Sequence, residues 1–303
     1  MNASSASVSL MQTQALGSLM SSMLGAKRDD SWASIFSLLA ANGSDQLSAA
    51  PLSALTRSGS VQGIAPTGRN MALSDPESAY QMMTLINNDD VLYKAQFSEL
   101  SQMKSSVLQM QDAGQGLGGI ALSAANDSIK SRLQDFVGQY NNWIQRFGPD
   151  VQKGGLLGDT QAAQASRFEL EQNLNNPLFG ARDGVQGLRS LGITVDPATH
   201  LASMDSAQLD SVLANNKQGV VDALHEFGAN FAKSANLLNS DGNFILSQLD
   251  NLNRAIHFIA DNKTSLQQEF GTGTAARPTG QVARALAAYN QAYAIPDPGL
   301  REV

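Results

Sequence analysis

The clearest pattern in the chain is a run of large apolar residues that repeats every seven positions. Its members are spaced four and three positions apart in alternation: Ile129, Leu133, Phe136, Tyr140, Trp143 and Phe147. This spacing places them on one face of an α-helix, and the aromatic rings predict that the face is buried in a core. The following Gly148-Pro149 predicts the end of this helix.

Two further long helices are predicted, one before and one after this helix in the sequence. The first begins at Ser74-Asp75-Pro76-Glu77, where proline and acidic residues favour a helix start, and it should break at Gly114–Gly119. Its narrow apolar seam consists of Tyr93, Phe97, Leu100, Met103, Val107 and Met110. The second extends towards Phe270 and carries Ile245, Leu249, Leu252, Ile256 and Ile259. A linker, Gly271–Gly280, and a final helix, Gln281–Ala294, then follow.

Between these helices the period changes from that of a helix to that of a strand. Leu191, Ile193 and Val195 alternate with polar or small residues, which indicates a half-buried strand. The turn sequence 196–199 should return the chain into a partner strand, His200–Met204. Asp205 or Ser206 is then placed to cap the next helix.

Residues 1–75 are rich in Ser, Ala, Gly and Met. They carry a weak amphipathic helix signal at Met11, Ala15, Leu19 and Met23, a second short helix at Ser31–Ala41 and a linker at Thr56–Ala72. Two interpretations remain open: a disordered tail with transient helices, or a segment that orders only on assembly.

These patterns predict a mainly α fold: an elongated helical bundle with coiled-coil-like packing and one small β-hairpin. Three segments are expected. Residues 1–75 form a flexible N-terminal segment, residues 76–270 form the helical core with the hairpin near 188–204, and residues 271–303 form a linker, a short helix and a frayed end.

Composition then narrows the classes of function. The 303 residues carry a formal net charge of −7 and show no basic face, so nucleic-acid binding is not expected. The absence of cysteine excludes disulfides, thiolate catalysis and zinc sites with Cys ligands. No apolar stretch is long enough to span a bilayer, so membrane insertion is not expected. The first residues lack the features of a secretory signal peptide, so export would need another route.

No motif points to a catalytic residue, a cofactor or a metal. His200, His225 and His257 lie far apart in sequence, and His225-Glu226 lacks the second histidine of a zinc-protease helix. Gly114–Gly119 lacks the strand and helix that surround a dinucleotide loop. Asp89-Asp90 is interpreted as a solvated helix kink rather than as an acid couple. An enzyme is therefore the weakest hypothesis, and only a deep polar pocket would reopen it.

An ordered set of short motifs spans about a hundred residues. It comprises Phe136-Val137, Tyr140-Asn141, Leu156-Leu157-Gly158-Asp159, Leu191-Gly192-Ile193-Thr194 and Met204-Asp205. This set resembles the C-terminal region of the hook-associated protein 2 family, the flagellar filament cap. The matched motif positions are Leu157, Gly158, Asp159, Leu191, Gly192, Ile193 and Asp205. We expect Asp159 or Thr160 to cap the helix that follows the turn, and Asp205 to cap the helix after the hairpin. With the upstream helix around Tyr93–Ser105, the resemblance covers about residues 78–270.

The resemblance implies a structural protein of the bacterial flagellum, secreted by flagellar type III export, that needs no cofactor. Its implied partners are further copies of itself, flagellin or hook-junction proteins, and an export chaperone. Assembly would use helical seams that bury apolar stripes between chains. The candidate interaction and core seam residues are Tyr93, Phe97, Leu100, Leu249, Leu252 and Ile256. Most of them should be core, with only the terminal segments reaching partners.

Three departures from the family pattern leave a second hypothesis open. Family members carry large β-rich domains after the first core helix, whereas here Ala113–Ser128 fills that gap. Thr199-His200 replaces a glycine expected in the hairpin, and glycines and Pro278 interrupt the C-terminal helix. A shortened cap-like paralogue, acting as an export partner, a regulator or a cell-adhesion module without capping, fits these departures.

Overall fold

The computed structural model describes residues 63–293. Its elements, in order, are α1 (Pro76–Gly118), α2 (Asn126–Val151), α3 (Gln161–Asn175), a 3-10 turn (Ala181–Asp183), α4 (Gly187–Ser190), β1 (Ile193–Val195), β2 (Ala202–Met204), α5 (Ser206–Asn215), α6 (Lys217–Asn239), α7 (Phe244–Phe270) and α8 (Gly280–Tyr293). The prediction of a mainly α fold with one small hairpin is confirmed for this part of the chain. The helices predicted around Met11–Met23 and Ser31–Ala41, and the frayed end after residue 293, lie outside the described residues.

Contacts divide the chain into two compact units. The described part of the first consists of residues 63–83 and 262–273, and that of the second consists of 84–261 and 274–293. Helices α1 and α7 therefore contribute residues to both units.

In the first unit, a buried asparagine ties a turn to the end of α7. The Asn70 side chain donates to the Gln268 carbonyl at 2.7 Å and accepts from the Ala72 amide at 3.1 Å. The Thr272 amide donates to the Gly68 carbonyl at 2.8 Å. Because a buried amide needs such partners, these bonds fix the turn. Residues 63–72, the described part of the linker predicted over Thr56–Ala72, therefore form a hydrogen-bonded turn that contains no helix.

The core of the second unit is built on α2. All six members of its apolar repeat are buried, as the spacing predicted: Ile129, Leu133, Phe136, Tyr140, Trp143 and Phe147. The Phe136 ring meets the rings of Phe227 and Phe231 of α6 edge-on, with centroids 5.1 and 5.0 Å apart. This edge-to-face geometry stabilises an aromatic cluster beyond the area it buries.

Three of the glycines that were predicted to break α1, Gly114, Gly116 and Gly118, lie inside it, since the helix runs to Gly118. They mark a close crossing with α6. A Cβ atom on Gly228 would lie 2.5 Å from both the Gly114 carbonyl oxygen and the Gly118 amide nitrogen. The two backbones approach so closely because neither helix carries a side chain there, and this packing outweighs the low helix propensity of glycine.

Two further boundaries differ from the sequence prediction. Helix α2 passes through Pro149 and ends at Val151, because a proline near the C-terminus removes a single hydrogen bond while the turn is still closed by Gln152 N donating to the Gly148 carbonyl. The connection between α1 and α2 is residues 119–125, shorter than the predicted gap Ala113–Ser128.

The acidic pair Asp89-Asp90, predicted to be solvated, is only partly exposed. It lies within the continuous helix α1. Asp90 forms an ion pair with Lys94 one turn later, at 2.6 Å, and its side chain is only 22% exposed. The pair is therefore a feature of the helix surface facing neighbouring structure, and its charge is partly neutralised.

Candidate functional site

The first motif, Leu156-Leu157-Gly158-Asp159, forms a tight turn that folds back on the end of α2. The Leu157 amide donates to the Asp150 carbonyl at 2.8 Å, and both leucines are buried. A Cβ atom on Gly155 would lie 2.3 Å from the Pro149 carbonyl oxygen, and one on Gly158 would lie 2.2 Å from that of Gln152. Glycine is therefore required at both places, because no larger residue fits against the helix end.

A side chain from α3 closes this turn. The Gln164 amide nitrogen donates to the carbonyls of Val151 and Gly158, at 2.8 and 2.9 Å. Of the two residues predicted to cap α3, Asp159 and Thr160, the N-cap residue is Thr160, and it makes no side-chain capping bond. Its hydroxyl instead donates to the Leu157 carbonyl at 2.8 Å, which leaves Asp159 exposed on the outside of the turn.

The Tyr140-Asn141 motif of α2 binds the outer edge of the hairpin. Asn141 accepts from the Ala202 amide at 2.7 Å and donates to the Ala202 carbonyl at 2.8 Å, as a neighbouring strand would. The Tyr140 hydroxyl donates to the His200 carbonyl at 2.9 Å. Burial, and secondarily the Glu171 carboxylate, raise the pKa of Tyr140 far above its usual range, so the hydroxyl keeps its proton. These bonds attach β2 to the core helix.

The hairpin itself is shorter than predicted. Its antiparallel register pairs Ile193 with Met204 and Val195 with Ala202. Leu188 lies in the short helix α4, and Leu191 precedes the strand as a buried turn residue. The residues from His200 to Leu201 stay outside β2, because the turn uses them to reverse the chain.

The turn of the hairpin shows why a glycine is expected there. His200 adopts a φ of +58°, the left-handed region that glycine enters at least cost. The Asp196 side chain holds the turn by accepting from the amides of Ala198 and Thr199, at 2.9 and 2.7 Å. The hydrogen bonds from Thr199 and Ala198 lower the pKa of Asp196. His200 in turn pairs with Glu171 of α3 at 3.0 Å.

The step from β2 into α5 follows the prediction. Asp205 is the N-cap of α5, and its carboxylate accepts from the amides of Ala207 and Gln208, at 2.9 and 3.0 Å. Gly192 has a φ of +86°, and its carbonyl accepts from the Asp205 amide at 2.9 Å. A Cβ atom on Gly192 would lie 2.7 Å from the Asp205 carbonyl oxygen. Asp205 is therefore confirmed as a helix cap.

All six candidate seam residues belong to the second unit, and five of them are buried. Tyr93, Leu100, Leu249, Leu252 and Ile256 are buried, whereas Phe97 is half-buried. Their contact with partner chains stays a prediction, because a residue buried within the chain cannot reach a partner unless a covering element moves.

Phe97 of α1 is covered by α8. Its ring meets the rings of Tyr289 and Tyr293 edge-on, with centroids 5.9 and 5.3 Å apart. Ala285 of α8 packs against Ala95 and Leu156. The final helix therefore occupies the face of α1 that carries the candidate seam residue Phe97.

Sequence reasoning missed a buried pair of carboxylates beside this contact. The side chains of Glu99 of α1 and Asp150 of α2 are each only 4% exposed. Arg146 forms ion pairs with both, the one to Asp150 being 3.4 Å long. Burial, followed by repulsion from Glu99, raises the pKa of Asp150 to about 6. The sequence signal is weak, since the two residues lie on different helices and neither belongs to a motif.

The described residues do not bring the histidines together. His200 pairs with Glu171, the His225 ring contacts the Ile120 carbonyl at 2.7 Å, and His257 is exposed. Between residues 63 and 293, no cluster of three or more His, Asp or Glu side chains is arranged to hold a metal ion. None of the helices in this part of the chain combines the length and the apolar character needed to cross a bilayer.

An open cleft of about 290 Å³ lies between the starts of α3 and α7. Its lining is polar but holds no titratable side chain: Gln161, Ala162, Gly242, Asn243, Phe244, Ser247, Gln248 and Asn251. General acid–base chemistry needs such a group in position, so this cleft does not revive the enzyme hypothesis.

Comparison with known proteins agrees with the motif geometry. Residues 107–281 match the family model described as flagellar hook-associated protein 2 C-terminus. No curated protein and no solved structure matches the chain significantly. The matched range contains the turn after α2, the Asn141 contact, the hairpin and the Asp205 cap, and it covers more than half of the sequence. The chain therefore belongs to the flagellar hook-associated protein 2 family, whose members are structural, cap-type proteins of the flagellum.

Proposed function

We propose that this protein is a flagellar assembly protein that self-associates and contacts flagellin or hook-junction subunits through its helical surfaces. It reaches the flagellum through the flagellar type III channel, and an export chaperone accompanies it before export. The observation that carries this proposal is the family match over residues 107–281, because it spans all the helices from α2 to α7 rather than an isolated motif.

The roles of the motif residues in the fold support an assembly role. Among the motif residues, Asn141 and Asp205 bond backbone groups within the chain, and the motif glycines permit close packing. Such groups shape a surface and leave no convergent set of reactive side chains. Assembly through complementary helical faces needs only a rigid core of this kind.

The test is electron microscopy of cells that lack the gene, together with immunoblotting of the medium for flagellin. We expect absent or short filaments and unpolymerised flagellin in the medium. Complementation with the wild-type chain should restore filaments. Normal filaments in the deletion strain would refute the capping role.

A second candidate is a shortened cap-like paralogue that acts as an export partner, regulator or adhesion module without capping. The short connection between α1 and α2, residues 119–125, favours it, because it leaves no room for an outer domain at that point. Secretion in wild-type and flagellar-export-defective cells separates the two candidates. The first requires the protein in the medium of wild-type cells only, and retention in the cytoplasm of both strains would exclude it.

A further inference from the structure

Helix α8 lies in an apolar groove between α1 and the turn that follows α2. The groove is lined by Leu92, Ala95 and Phe97 of α1 and by Leu156 of the turn. The side chains that fill it form one stripe along α8, with spacings of three, four and four positions: Val282, Ala285, Tyr289 and Tyr293. An amphipathic helix binds a groove on a protein surface through a stripe of this kind.

The groove is built without any contribution from α8. The Gln96 side chain of α1 donates to the Leu156 carbonyl at 3.0 Å, which fixes the turn against the first helix. The Leu157 amide donates to the Asp150 carbonyl at 2.8 Å, which fixes the same turn against α2. Because both bonds belong to the groove itself, the surface that binds α8 persists when α8 leaves it.

The attachment of α8 to this groove is small. Ala285 is the single buried residue of the helix, and the side chains on either side of it are partly exposed. A helix of 14 residues is marginal by itself in water, and elements with few buried apolar contacts are the first to open locally. We therefore expect α8 to leave its groove while the core of the unit stays folded.

The connection that leads to α8 is anchored at its start and short. The Thr274 amide donates to the Thr84 hydroxyl at 2.8 Å, and the Thr274 carbonyl accepts from the Asn87 side chain at 3.0 Å. Residues 275–279 then lead to α8 without regular structure. From Thr274 to Gly280 the chain spans at most about 20 Å when fully extended, so a released α8 reaches only a copy that lies directly alongside α1.

We propose that two copies of this chain associate by exchanging α8, so that the stripe of each copy occupies the groove of its partner. The exchange rests on the self-association proposed above and supplies its contact. Every contact between α8 and the groove is remade in such a reciprocal pair, so exchange costs only the entropy of association and a rearrangement of residues 275–279. Because two molecules become one complex, the exchanged form is favoured as the protein concentration rises.

The chain has no cysteine, so disulfide cross-linking tests the exchange directly. Two single variants of the full chain, Ala95→Cys and Ala285→Cys, place one thiol in the groove and one on the stripe. The variants are mixed, concentrated and separated by size-exclusion chromatography, and the dimer fraction is oxidised and run on a non-reducing gel. We expect a band of twice the chain mass, because the two thiols meet only when α8 of one copy lies on α1 of the other.

Two controls make this result specific. The double variant Ala95→Cys/Ala285→Cys, oxidised as a dilute monomer, should close within one chain and so shows that the pair has the geometry of a disulfide. Ala95→Cys mixed with Ser128→Cys, whose thiol is exposed at the start of α2, should give no band of twice the chain mass.

A shortened connection supplies an independent measurement. Deletion of Ala276 and Arg277 shortens it by about 7 Å, which lowers the effective concentration of α8 at its own groove and lets the groove of a second copy compete better. We expect the dimer fraction at a given protein concentration to rise, and an unchanged or smaller fraction would overturn the proposal. This deletion decides the question if the double variant does not close.

The outcomes separate exchange from self-association. A dimer that gives no cross-link, although the double variant closes, would refute exchange and leave self-association standing. A chain that stays monomeric at every concentration would overturn both.

Discussion

The close crossing of α1 and α6 predicts that a single methyl group added at Gly228 destabilises the protein. In Gly228→Ala, the new Cβ would lie 2.5 Å from the Gly114 carbonyl oxygen and 2.7 Å from the Gly118 Cα atom. These are backbone atoms, so they cannot rotate away as a side chain can. The helices must therefore move apart or bend, and the aromatic contacts of neighbouring Phe227 and Phe231 would be disturbed.

The expected change in the free energy of unfolding follows from two opposing effects. Replacing glycine by alanine inside a helix gains about 1 kcal/mol from helix propensity. Overpacking a close contact costs about 1–3 kcal/mol and more where backbone must shift. We therefore expect Gly228→Ala to lower the free energy of unfolding by about 1–2 kcal/mol.

Gly138 of α2 offers the matched control, because a Cβ there would meet no atom within 4 Å. Gly138→Ala should raise the free energy of unfolding by about 0.5–1 kcal/mol. The assay is urea unfolding followed by circular dichroism. The slope of the unfolding free energy against urea concentration (the m-value) should be the same in wild type and both variants, as two-state unfolding requires. If Gly228→Ala stabilised the protein as much as Gly138→Ala, the close crossing of α1 and α6 would be refuted.

Three further predictions concern the cap, the core and the buried carboxylate. Asp205→Ala should cost about 1 kcal/mol through the lost N-cap of α5, whereas Asp159→Ala should change urea stability by less than about 0.5 kcal/mol. Phe136→Ala should cost about 3–5 kcal/mol in the same assay, and a cost near 1 would contradict its place in the aromatic cluster. The pKa of Asp150 is raised from 3.8 to about 6 on folding, so its contribution to stability is full below pH 3.8 and is lost as the pH rises to about 6. The free energy of unfolding of Asp150→Asn should therefore exceed that of wild type by up to about 3 kcal/mol in urea titrations at pH 7.5, and the difference should vanish near pH 4.

Features that depend on local spacing could be predicted from the sequence. The buried face of α2 follows from its seven-residue repeat, and the Asp205 cap follows from an acidic residue directly before an apolar helical pattern. In each case the physical cause lies within a few turns of the residue itself. The motifs between residues 136 and 205 indicated the family because each of them is also a local sequence pattern.

Features that depend on distant partners could not be predicted. Gly114 and Gly118 look like helix breakers until α6 is seen against them, and Glu99 and Asp150 meet only after α1 and α2 pack. The Thr160 hydroxyl donates to the Leu157 carbonyl and does not cap the amides of α3, and the sequence does not distinguish between these two local hydrogen bonds. Close approach and burial are properties of the packed state, so propensity alone misjudges such residues.

The connection between α1 and α2 has a consequence for protein engineering. It is anchored at both ends, by the His225 ring at the Ile120 carbonyl and by the Lys217 ammonium at the Ala124 carbonyl, at 2.7 and 2.5 Å. The residues between these anchors, 121–123, are exposed. Exposed tips of this kind tolerate inserted sequence, because the core contacts on either side are untouched. A folded domain with adjacent termini could be inserted between Ala121 and Ser123, and the helical unit would present it outward.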